Sequence, residues 1–153
     1  MSLPSDAQKF AVYYNQYLEL MTETLNRRCE RTLCFFQFLL GSAVFAQSSV
    51  GWLFGAVVAT CAAFQYSWNP GKIASNAKKQ AYRYQRLRDN FNKLTSESLA
   101  DKMHVIEQND SPLINSLLNP ARCRAYIALG WPQVEKLTRW ERIVAFLAGG
   151  IPQ

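Results

Sequence analysis

Lys72, Lys79, Arg83 and Arg86 repeat on one face of what reads as a long helix. Cations lined up in this way attract anions, either lipid headgroups or the phosphates of a nucleotide or nucleic acid. Near an anionic lipid surface each is worth roughly 1 kcal/mol. Both readings fit the pattern. A second group is uncharged. Gln37, Ser42, Thr60 and Gln65 interrupt an otherwise apolar run. Such groups must pair between helices or face water, so they either line a weakly selective pore or glue helices together. Beside them Gly51, Gly55, Ala59 and Ala63 make a small-residue face that permits close helix approach. That face serves to pack the run on itself or to assemble several copies.

Other chemistries lack their residues. His104 is the one histidine, with no second ligand at a useful spacing, and reads as a surface or packing residue. Cys29, Cys34, Cys61 and Cys123 show no paired spacing and read as reduced, small hydrophobes without a metal. There is no P-loop, GxGxxG, GxSxG or HExxH. A non-enzyme without a cofactor is expected. The net charge of +6 favours anionic partners.

The run that positions the neutral group extends from Thr32 to Gly71 and contains no Lys, Arg, Asp, Glu or His. It reads as a hairpin of two membrane-crossing helices, about Thr32 to Ala46 and Val50 to Trp68, with a turn at Gln47-Ser48-Ser49-Val50-Gly51. Trp52, Tyr66 and Trp68 take interfacial positions. A buried hairpin in a soluble protein is the alternative, since Gln37, Gln47 and Gln65 soften the hydropathy. Arg27, Arg28 and Arg31 precede the run, Lys72, Lys78, Lys79 and Arg83 follow it, and the turn is neutral. The positive-inside rule then places both termini in the cytoplasm. No signal peptide is visible. The expected organisation is an amphipathic helix at 1–31, a transmembrane hairpin at 32–68 and a cytoplasmic helical region at 69–153.

Ser5 to Gln8 reads as a capping box. Phe10, Tyr14, Tyr17, Met21 and Leu25 recur behind it at helical spacing, with Lys9, Glu19, Glu23 and Arg27 on the surface. The tyrosines read as a packing stripe. Asn69-Pro70-Gly71 ends the hairpin. From Lys72 a helix carries Ile73, Ala77, Tyr84, Leu87, Phe91 and Leu94 on one side, with Ala77, Tyr84 and Phe91 at heptad spacing. Ser96-Glu97-Ser98 restarts a helix with Leu99, Met103 and Ile106 inward. Two short helices follow, near Leu113 to Leu118 and Ala121 to Leu129, divided by Asn119-Pro120. The last helix is expected at about Gln133 to Ala148, amphipathic through Val134, Leu137, Trp140, Ile143, Val144 and Leu147.

This order resembles the SLATT family of two-transmembrane effector domains. The features that carry the resemblance are Trp68-Asn69-Pro70, the helix bearing Ala74, Ala77, Ala81, Tyr84, Leu87 and Arg88, then Leu129-Gly130, Leu137 to Arg142 and Gly149-Gly150-Ile151. It covers roughly Tyr13 to Ile151. Where the family often has a His after the second span, this chain offers Lys78 or Lys79. The resemblance implies a pore-forming effector of bacterial anti-phage abortive infection, gated by a nucleotide or oligonucleotide from a partner nucleotidyltransferase. The combined expectation is an oligomeric all-α membrane protein, a tetramer as a first guess, in the bacterial inner membrane. Its hairpins would form an ion pathway. Lys72, Lys79, Arg83 and Arg86 would bind the ligand. The rivals are a holin-like lysis protein, against which about 110 residues outside the hairpin argue, and a non-conducting anchor for a signalling partner.

Overall fold

The first helix, α1, runs from Asp6 to Val44. The capping box starts it: Gln8 Oε1 accepts the Ser5 N–H at 2.9 Å, and Ser5 Oγ accepts the Gln8 N–H at 3.3 Å. This exchange satisfies two donors that a helix start otherwise leaves orphaned. Then come α2 at Gly51–Trp68, α3 at Pro70–Asp89, a 3-10 turn at Phe91–Lys93, α4 at Ser96–Glu107, α5 at Asn115–Leu129 and α6 at Arg139–Leu147. The structure, a computed structural model, describes residues 3–44, 51–132 and 136–152, and those residues contain no strand. The chain divides into two compact units, Met1–Leu25 with Ile73–Gln153, and Asn26–Lys72.

In the first unit, the start of α1 is packed on two sides. Leu18 and Met21 join Leu117 and Ala121 of α5 and Val144, Ala145 and Ala148 at α6. Val12 joins Tyr84 and Leu87 of α3 and Leu99 and Ile106 of α4. The tyrosine stripe of α1 is used for packing: Tyr14, Tyr17 and Leu25 lie against the first of these clusters. On α3, Ala74, Ala77, Ala81 and Tyr84 are all buried, at the spacing of a coiled-coil seam. Thr95 caps α4 by accepting the Ser98 N–H at 3.3 Å.

The surface assignment of Glu19 is corrected, because only 3% of it is exposed. Gln16, Glu19, Thr22 and Asn26 are buried along α1 at spacings of three and four, a polar stripe beside the apolar one. The expected break at Asn119-Pro120 is also corrected. α5 is continuous, with Pro120 inside it. Near a helix start Pro gives up a single backbone bond, and the buried Leu117, Pro120 and Ala121 hold the segment in place. The last helix starts at Arg139, later than expected. Its N-cap Thr138 closes a capping box with Glu141, and residues 133–135, Val134 included, lie outside the described ones.

The expected membrane hairpin is overturned. Among the described residues no helix is long and apolar enough to cross a membrane. α2 has 18 residues, about 27 Å at 1.5 Å per residue, against a hydrocarbon core of about 30 Å. Gln65, Tyr66, Ser67 and Trp68 occupy its last turn. In α1 the uncharged part begins only after Arg31 and reaches Val44. The expected turn at 47–50 lies outside the described residues. The all-helical part of the expectation stands; the transmembrane part does not.

In the second unit, Trp68 Nε1 donates to Asn26 Oδ1 at 3.2 Å and Gln65 Nε2 to Cys34 Sγ at 3.4 Å. Asn69 joins α2 to α3 in the left-handed conformation, with φ of 48°, which Asn tolerates better than most residues. Its side chain then accepts the Lys72 N–H at 3.3 Å, capping α3. At Gly71 the Glu30 carboxylate occupies the space where a side chain would go.

Candidate anion-binding groove

α3 presents Arg83 and Arg86 three residues apart, about one helical turn. They line a cavity of about 380 Å3 with Leu87 and, from α4, Lys102, Val105 and Ile106. A second cavity of about 470 Å3 shares Arg86, Leu87 and Lys102 with it and adds Lys93 and Leu94. Together they make one groove with four cations and an apolar floor. Asp101 is the acid that lines it.

The two guanidiniums are held by neutral partners. Arg83 Nη1 donates to Gln80 Oε1 at 3.3 Å. Arg86 Nη2 donates to Tyr82 Oη at 3.2 Å, and its guanidinium sits 4.7 Å from the Tyr82 ring centroid. Asn90 Nδ2 donates to the Arg86 carbonyl at 2.7 Å. No ion pair reaches Arg83 or Arg86 among the described residues. Both charges remain available to an anion, in contrast to Arg88, which pairs with Asp89 at 3.2 Å. An arginine fork suits phosphate oxygens, which it meets with two parallel N–H bonds. The leucine and valine walls suit the flat body of a ligand that carries that phosphate.

The four cations expected from sequence separate here. Arg83 and Arg86 enter the groove, while Lys72 and Lys79 are exposed on α3 and line neither cavity. Lys93 and Lys102 were missed. Lys102 lies three residues before Val105 on α4, a spacing visible in sequence, but nothing local says which helix that face meets.

The neutral group also resolves. Ser42 Oγ donates to the Phe38 and Leu39 carbonyls at 3.0 and 2.8 Å, and Thr60 Oγ1 to the Ala56 carbonyl at 2.9 Å. Both bond back onto their own helix. Gln65 is spent on Cys34, and Gln37 is half-buried. Gly51 opens α2. A side chain at Gly55 would meet nothing within 4 Å, and Ala59 is exposed. Inside this chain, Gly55 is not required for close packing. No protein-family model, curated protein or solved structure matches the chain.

Proposed function

We propose that this protein is a ligand-responsive effector that takes a phosphate-bearing nucleotide or short oligonucleotide in the groove between α3 and α4. The observation that carries the reading is the pair of guanidiniums, Arg83 and Arg86, without acidic partners over an apolar floor, with Lys102 supplied by the neighbouring helix. The wider setting comes from the SLATT resemblance: an anti-phage effector whose ligand is made by a partner nucleotidyltransferase.

The output of this reading is assembly of copies through Asn26–Lys72. α2 buries none of its residues within the chain, and Phe38, Trp52 and Tyr66 are 86%, 76% and 90% exposed. A helix apolar on every side needs covering, and the open face at Gly55 and Ala59 lets a second copy come close.

The test uses a fluorescein-labelled short oligonucleotide and the full chain, read by anisotropy at two salt concentrations. Binding is expected to weaken with salt, since each phosphate contact releases counterions. Arg83→Glu with Arg86→Glu should abolish it at unchanged helicity. Equal affinity in wild type and variant removes the groove as the site.

A further inference from the structure

The turn after α4 brings the half-buried Asp110 up to the buried Glu19 of α1 and Tyr84 of α3. Glu19 Oε1 accepts the Ser111 N–H at 2.8 Å in a buried position. Asp110 Oδ2 accepts the Tyr84 hydroxyl at 2.8 Å. Tyr84 itself is fully buried. Three atoms remain buried without a partner among the described residues: Glu19 Oε2, Asp110 Oδ1 and Ser111 Oγ. Buried polar atoms are ordinarily paired, so three orphans on adjacent groups require an explanation.

Counting donors supplies one. With both carboxylates ionised, Glu19 Oε2 and Asp110 Oδ1 are pure acceptors, and the Ser111 hydroxyl bonds to neither of them. One proton on Glu19 turns a buried acceptor into a donor and removes the repulsion between the Glu19 and Asp110 charges. We propose that Glu19 is the neutral acid in the folded unit, and that its proton bolts α1 to the Asp110–Ser111 turn and leaves when the joint opens.

Charge and space agree with this. Burial raises the Glu19 carboxyl above its ordinary value, the bond from the Ser111 amide opposes the rise, and the Asp110 charge adds to it. Burial likewise raises Asp110; the Tyr84 bond opposes that rise and Glu107 adds to it. The titratable groups that face the cluster are Tyr84 from α3, Glu107 from the end of α4 and Asp110 from the turn. Burial first, then the bond to Asp110, raise the Tyr84 phenol, so it stays a donor. Each of these groups is neutral or negative. A metal ion would also satisfy the oxygens, but it needs room for a shell at 2.0 to roughly 2.6 Å. Among the described residues no group of three or more His, Cys, Asp or Glu side chains is placed to hold one. A proton needs no room.

The sign of the pH dependence follows. A carboxyl raised in the folded state holds more protons there than in the unfolded chain, so its stabilisation is complete below 4.5 and is lost as pH rises through the folded value. Because the joint holds the end of α4, its opening loosens one wall of the groove.

The test is carboxyl carbon NMR of the full chain with labelled Glu, together with hydrogen exchange at the Ser111 amide corrected for base catalysis. Glu19 should titrate above the ordinary 4.5, and Ser111 protection should fall over the same pH interval. Glu19→Gln, which keeps an acceptor and adds a permanent donor, should keep Ser111 protected across that interval. Asp110→Asn supplies a donor from the other side, so it should lower the Glu19 titration. A Glu19 that titrates at or below 4.5 overturns the proposal. So does a Ca2+ or Mg2+ titration that raises Tm in wild type but not in Glu19→Gln, since it assigns the oxygens to a metal.

Discussion

The Tyr84 hydroxyl donates to Asp110 Oδ2 over 2.8 Å and so ties the middle of α3 to the turn that follows α4. Asn15 Nδ2 of α1 lies 3.5 Å from the same hydroxyl and 3.3 Å from Glu107 Oε1. Two helices and the turn after α4 thus meet at one phenol. Tyr84→Phe keeps the ring and removes the donor, leaving Asp110 with a second unpaired oxygen. The expected cost is about 1 to 3 kcal/mol, the penalty for an unsatisfied buried acceptor. Urea unfolding measures it, and no change in midpoint would mean that water replaces the hydroxyl.

α6 should be acid-sensitive. The backbone bond from Thr138 lowers the Glu141 carboxyl below its ordinary value, burial opposes this, and further bonds from the Thr138 hydroxyl and Asn119 assist. A lowered carboxyl adds stability above 4.5 that is lost as pH falls through its folded value. Protection of the α6 amides, corrected for base-catalysed intrinsic exchange, should therefore fall on acidification, and Glu141→Gln should flatten that dependence. Thr138→Ala removes the cap acceptor and should cost about 1 kcal/mol at neutral pH. Protection in α6 that does not change with pH would detach Glu141 from the cap.

Gly55→Leu separates folding from assembly. The site is open within the chain, and Leu is a better helix former than Gly by up to about 1 kcal/mol. Helicity by circular dichroism should hold or rise. If copies meet at this face, sedimentation should show smaller species. Wild-type-sized species would move the interface elsewhere.

The groove also ranks its own cations. Lys102→Glu should weaken oligonucleotide binding at least tenfold and flatten its salt dependence, since one lysine–phosphate pairing is worth about one unit of slope. Lys72→Glu should leave both unchanged, because Lys72 lines neither cavity. Equal weakening in the two variants would point to diffuse attraction by the net charge.

What sequence alone determined is what depends on neighbours three or four residues away. The Ser5 cap, the restart of a helix at Ser96, the packing of Tyr14, Tyr17 and Met21, and the Ala77–Tyr84 seam are all readable because turn and periodicity are local. Tertiary structure decided the rest. Glu19 looks like any exposed acid in its own window; its burial follows from α1 being packed on two sides, so that no face is left for it outside. Arg83 and Arg86 are distinguished from Lys79 by where α4 lies against α3, and that arrangement has no signature in either helix alone. The uncharged run from Thr32 to Gly71 reads as a hairpin by hydropathy, yet spanning needs a long unbroken apolar helix, and among the described residues no helix is long and apolar enough.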